Sequence, residues 1–249
     1  MPKISENRSV LSRAAPPPSS TGSYGSHPDA VIEEWLPVAA SGVAVLLLHG
    51  GFWDEAFDRS HCRPLAAALS HHGIRVMLPE YRRVRGAGGW PQTFDDVRCA
   101  YDYFLAATAA TRRSVVVGHS AGGQLALWLA ATQPTAGLAA AVALAPVCDL
   151  VKAHTLGLGD HAIDRLMGGS SVQVPARYQA VDPCRLPDPP IPTTLMHGTN
   201  DSIVPVLMSR EYVGGHPRST CLELPCGHYE LIDPESEQFA ALLAVIMGE

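Results

Sequence analysis

No two of the six cysteines (Cys62, Cys99, Cys148, Cys184, Cys221, Cys226) stand in C-x-x-C spacing in this 249-residue chain. That absence excludes the usual zinc and dithiol motifs, and six cysteines are too few for a disulfide scaffold of this length. They read as reduced thiols, and no metal and no cofactor is expected. The longest apolar run, "AGLAAAVALAPVC", is too short to span a bilayer. The N-terminal stretch has scattered charges and no apolar core of the kind a secretory signal requires. No Lys/Arg cluster exceeds "EYRRVR", and the net charge is −6, which argues against a nucleic-acid partner. These absences predict a cytoplasmic protein with no membrane and no nucleic-acid partner, and they leave a homodimer open.

What is present is an ordinary globular composition, 47% apolar and 17% charged, in a chain long enough to bury a full core. Strand and helix signals alternate. "VAVLLLHG" (43–50) and "SVVVGHS" (114–120) are continuous apolar runs stopped by glycine or a polar residue, as expected of strands buried on both faces. "PQTFDDVRCAYDYFLAATAA" (91–110) and "PESEQFAALLAVIMG" (234–248) carry apolar residues at helical spacing. Such alternation implies a three-layer α/β/α sandwich with a mostly parallel central sheet. Residues 1–28, rich in Pro, Ser and Gly, are expected to be a disordered leader to a single domain spanning 29–249. Residues 149–190, rich in Gly, Pro and Asp, read as a small cap insertion over the site.

"GHSAG" (118–122) fits G-x-S-x-G, a weak signal as a string and a stronger one between a strand and a helix. A serine on that sharp turn projects from the sheet edge, and the helix N-terminus behind it favours developing negative charge. The competing reading is a phosphate-binding turn, but neither a P-loop lysine nor a G-x-G-x-x-G accompanies it. A serine hydroxyl needs a base, and the base needs a carboxylate to orient it. His228 in "LPCGHYELIDP" follows the last expected strand and is the first choice of base, with His197 behind it. Asp201 in "HGTNDSIVP" closes a strand and is the first choice of acid, with Asp149 the runner-up. "LLLHGGFW" (46–53) would supply oxyanion donors, since glycines let backbone amides approach a developing charge. The amides of Gly51 and Phe52, with that of Ala121 after the serine, are the candidates.

Together, "HGGFW", "PEYR", "GHSAGG", "HGTNDSIVP" and "CGH" resemble the α/β-hydrolase superfamily, most closely the branch of kynurenine formamidases and hormone-sensitive-lipase-like esterases. The resemblance runs from about residue 30 to the end and implies the α/β-hydrolase fold and a Ser120–His228–Asp201 triad acting on a small-molecule acyl substrate. Trp53, Tyr81, Trp90 and Tyr229 flank the expected site loops and are candidate substrate-binding residues, with core packing as their alternative. The absence of a long apolar lid favours small or aromatic carboxylic esters, with arylformamide hydrolysis as the alternative. A non-catalytic binding protein on the same fold is the reading from another class.

Overall fold

The computed structural model describes residues 6–133 and 136–249. Its centre is an eight-stranded sheet: β1 (Ser20–Ser23), β2 (Val31–Trp35), β3 (Val43–Leu48), β4 (Ile74–Pro79), β5 (Arg113–His119), β6 (Ala140–Leu144), β7 (Thr193–Gly198) and β8 (Ser219–Leu224). The order is β1-β2-β4-β3-β5-β6-β7-β8. β1 and β2 run antiparallel to their neighbours, and every other pairing is parallel. β3 shows why a continuous apolar run marks a central strand. All six of its residues are buried, so both faces must be apolar, and each leucine removed from water contributes about 1.5–3 kcal/mol.

Helices cover both faces. On one face α1 (Arg63–His71) and α8 (Phe239–Met247) pack on Val45, Leu47, Val115 and Val117. On the other, α2 (Gln92–Ala107), α3 (Ala121–Thr132) and α7 (Leu207–Gly215) pack on Leu46, Leu48 and Val116. This is the three-layer α/β/α arrangement expected from the alternation. The first ten residues of α3 are all buried, which suits their composition of Ala, Leu, Gly and Trp with one Gln and no charge. None of the six cysteines is paired. No helix among the described residues is long and apolar enough to cross a membrane.

Two expectations need correction. Of the residues expected to be a disordered leader, 1–5 lie outside the described residues, but 6–28 are built into the domain. β1 hydrogen bonds along β2, and Val10, in a short 3-10 turn at Ser9–Ser12, is 1% exposed. The compositional argument missed this because one apolar side chain and backbone pairing hold the segment, neither of which depends on average hydrophobicity. Residues 149–190, expected to be a small cap over the site, hold three short helices, α4 (Leu150–Thr155), α5 (Leu158–Met167) and α6 (Pro175–Val181). None of their residues lines the cavity at Ser120, and Leu150, Ile163, Leu166 and Tyr178 are buried in the same core as α2 and α3.

Candidate active site

Ser120 sits between the end of β5 and the first turn of α3, with φ +56° and ψ −115°. A non-glycine residue in that region is strained, and such strain concentrates at functional turns. The neighbouring glycines are required by close approach. A side chain on Gly122 would strike the carbonyl oxygens of Leu48 and His49, and one on Gly118 the carbonyl of Gly122. Thus the glycines of "GHSAG" let α3 begin directly against β3 and β5, with the serine at the apex.

The carboxylate comes from the loop after β7. Oδ1 of Asp201 accepts the amides of Ile203 and Val204, each at 2.8 Å, which fixes its orientation. Oδ2 lies 2.7 Å from Nδ1 of His228, on the loop after β8. A carboxylate only accepts, so Nδ1 carries the proton and Nε2 holds the lone pair. His197 supports the acid from behind: its Nε2 is 3.3 Å from Oδ2 of Asp201, and its Nδ1 meets Oγ of Ser209 at 2.7 Å. Burial alone would raise Asp201, but the hydrogen bonds from His197 and His228 outweigh it and hold the carboxyl well below its usual range. The two alternatives from the sequence have other tasks. His197 is buried beneath Asp201, and Asp149 caps α4 by accepting the amide of Lys152 at 2.8 Å.

Gly51, Phe52 and Trp53 all have positive φ, at +104°, +53° and +54°, and Gly51 could carry no side chain because Phe57 occupies that space. Such a turn points successive amides to one side, an anion-binding arrangement. The amides of Gly51 and Phe52 donate to no described residue, and that of Ala121 opens α3, where no intrahelical partner exists. The loop is set from below by Tyr81, whose hydroxyl donates to the carbonyl of His49 at 2.8 Å while its ring stacks on His49 at 4.3 Å. Glu80 holds Nε2 of His49 at 2.7 Å.

A cavity of about 50 Å³ opens at this point, lined by Leu11, Gly51, Phe52, Phe57, His61, His119, Ser120, His228 and Tyr229. It brings the expected serine, histidine, oxyanion loop and Tyr229 together. Trp53 and Tyr81 are not part of it: both are 0% exposed, so their expected role as substrate contacts is corrected to packing within and beneath the loop after β3. Trp90 is likewise outside it and packs on Phe94 at 5.5 Å. Residues 149–190 lend no residue to the lining, although Gly159 lies against the ring of Phe52.

Four lining residues escaped the sequence reading. His119, inside "GHSAG", could have been found, because the residue before an elbow serine ends the same strand. It is buried, its Nε2 donates to the carbonyl of His228 at 3.1 Å, and burial, then the nearby His228 and His61, push it well below the ordinary histidine range. His61 is lowered to about 4, chiefly by burial and then by His49. Phe57 and Leu11 had no local signal, since only the fold carries them to the serine.

The fold is that of the α/β hydrolases. Within that class the chain belongs to the BD-FAE family, which it matches over residues 36–213. LipR of Mycobacterium tuberculosis, an acetyl-hydrolase by name, is 32% identical over 113 residues, 45% of this chain and 36% of that protein. The chain thus spans about a third of the length of that curated relative. Solved structures of the same fold include a truncated carbohydrate esterase from gut microbiota (TM-score 0.77, 18% identity, 93% of this chain and 97% of that one). Another is Lactobacillus rhamnosis esterase B inhibited by a tributyrin phosphonate (TM-score 0.71, 19% identity, 94% and 88%). A third is Thermogutta terrifontis esterase 2 phosphonylated by sarin (TM-score 0.68, 17% identity, 91% and 91%).

Proposed function

We propose that the protein is a serine esterase acting on small acyl groups through Ser120, His228 and Asp201. The observation that carries this reading is the 2.7 Å contact between Nδ1 of His228 and Oδ2 of Asp201, at a cavity that His228 shares with Ser120. Ser120 attacks the acyl carbonyl while Nε2 of His228 takes its proton. The tetrahedral oxyanion is met by the amides of Gly51, Phe52 and Ala121. His228 then returns the proton to the leaving alcohol, and water resolves the acyl-enzyme by the same steps. Asp201 stays ionised throughout, which its depressed pKa favours.

The size of the cavity supports a small acyl group. A water needs roughly 10–15 Å³, so this space suits an acyl group of a few heavy atoms. An acetyl-hydrolase name on the partial relative and the esterases among the structural neighbours agree with that choice. The aromatic lining, Phe52, Phe57 and Tyr229, also suits an aryl formamide, whose one-carbon acyl group is smaller still.

The test is turnover of p-nitrophenyl acetate, butyrate and octanoate beside an aryl formamide, with Ser120→Ala as control. The expected result is highest kcat/KM on acetate, little on octanoate and none above background for Ser120→Ala. Preference for the formamide would move the assignment to amide hydrolysis. Wild-type activity in Ser120→Ala, or no fluorophosphonate labelling of the folded protein, would leave the non-catalytic binding protein.

A further inference from the structure

Two loops must meet for the acid and base to pair, the one after β7 carrying Asp201 and the one after β8 carrying His228. A side chain from the opposite end of the chain joins them. Oε1 of Glu6 accepts the amide of Ser202, the residue after Asp201, at 2.7 Å, and Oε2 accepts the amide of His228 itself at 2.7 Å. On its other side the carbonyl of His228 takes Nε2–H of His119 at 3.1 Å, so the peptide groups flanking the base are held from both directions. The segment that delivers Glu6 is itself anchored. Val10 is buried, Arg13 pairs with Asp233, and the Arg8 guanidinium lies 5.6 Å from the centre of the Tyr229 ring.

We propose that Glu6 is a positioning residue for the hydrolytic centre, clamping the acid loop to the base loop. The inference rests on the Ser120–His228–Asp201 reading. Its physical basis is the strength and place of the two bonds. A carboxylate accepting backbone amides makes hydrogen bonds about twice as strong as neutral ones. These two fix the separation of the loops at the point where the Nδ1–Oδ2 contact forms. Glu6 is absent from the cavity lining, so it acts on the reaction only through His228 and Asp201. Its loss should therefore lower kcat and leave substrate binding alone.

The experiment compares wild type, Glu6→Ala and Glu6→Gln in the full chain, on p-nitrophenyl acetate and by hydrogen exchange at the His228 amide. For Glu6→Ala, kcat is expected to fall on the order of ten- to a hundredfold with KM nearly unchanged, the size of effect that small misplacements produce. The His228 amide should exchange faster. Glu6→Gln keeps one acceptor oxygen and should recover part of the loss. An unchanged kcat, a loss shared equally by KM, or unaltered exchange at His228 in Glu6→Ala overturns the clamp. Fluorophosphonate labelling separates the two readings. An unlabelled wild type overturns the hydrolase assignment and the catalytic role of Glu6 with it, whereas a labelled wild type beside an unaffected Glu6→Ala overturns the clamp alone.

Discussion

The ring of His119 stands 4.6 Å from the ring of His228 and hydrogen bonds the backbone of the same residue. Two imidazoles this close in a buried site cannot both be cationic at low cost. His119 resolves the conflict by staying neutral: burial, then repulsion from His228 and His61, hold it far below the ordinary range.

The same burial gives the fold a pH dependence. His49 is pushed down to about 3 and His61 to about 4, chiefly by burial, and His119 is lowered as well. In the unfolded chain each takes up a proton near 6.5, so below that pH the unfolded state binds more protons than the native one. Stability from these histidines is therefore complete above pH 6.5 and declines as pH falls toward 4. Asp201 acts at lower pH: its folded carboxyl is depressed, so its contribution is present above 3.8 and fades as pH drops below that value. Thermal melts from pH 8 to pH 4 should show Tm falling below about 6.5, with a shallower slope in His61→Asn. A flat Tm over that interval would contradict the assignment of neutral, buried histidines.

Asp201→Asn should keep the fold and lose the chemistry. The amide cannot accept at the Nδ1 face without turning its NH₂ elsewhere, and the wrong tautomer of His228 is then favoured. A loss on the order of 10³- to 10⁴-fold in kcat on p-nitrophenyl acetate is expected, with circular dichroism unchanged. A loss below tenfold would point to another acid.

Among the described residues, Leu11 is the one aliphatic side chain in the cavity lining. Leu11→Ala should admit longer acyl chains, raising kcat/KM on butyrate relative to acetate by about fourfold per accommodated methylene, the equivalent of ~0.8 kcal/mol. An unchanged chain-length profile would show that this wall does not limit the acyl group.

Tyr81→Phe tests the corrected role of that residue. Removing the hydroxyl breaks the bond to the His49 carbonyl, a net cost of about 1 kcal/mol, or roughly 2–4 °C in Tm for a chain of this size. KM for small esters should stay as it is. A large KM change with unaltered Tm would restore Tyr81 as a substrate contact.

The placement of the candidate residues was legible because they stand at strand ends. Ser120 and Asp201 follow the buried strands β5 and β7, "HGG" closes β3, and His228 follows the more exposed β8. What could not be read was depth. Trp53 and Tyr229 both adjoin a site motif, yet one is fully buried and the other lines the cavity, because burial depends on which neighbours the sheet order brings alongside. The contribution of residues 6–13 was hidden for a related reason. Glu6 and Leu11 lie in a polar, proline-bearing stretch without periodicity, and their partners are far away in the chain.

That distance has a consequence for biosynthesis. The hydrogen bond between Glu6 and His228 joins residues 222 positions apart. Glu6 is made well before Ser202 and His228, and its carboxylate must wait for both until β8 and its loop have been made. Strands β3 to β6 can assemble in the meantime from nearer neighbours, since short-range contacts close at lower entropic cost. The centre of the sheet is then in place before the site is, and a nascent chain released early would carry Ser120 on its turn without the loops that bear Asp201 and His228.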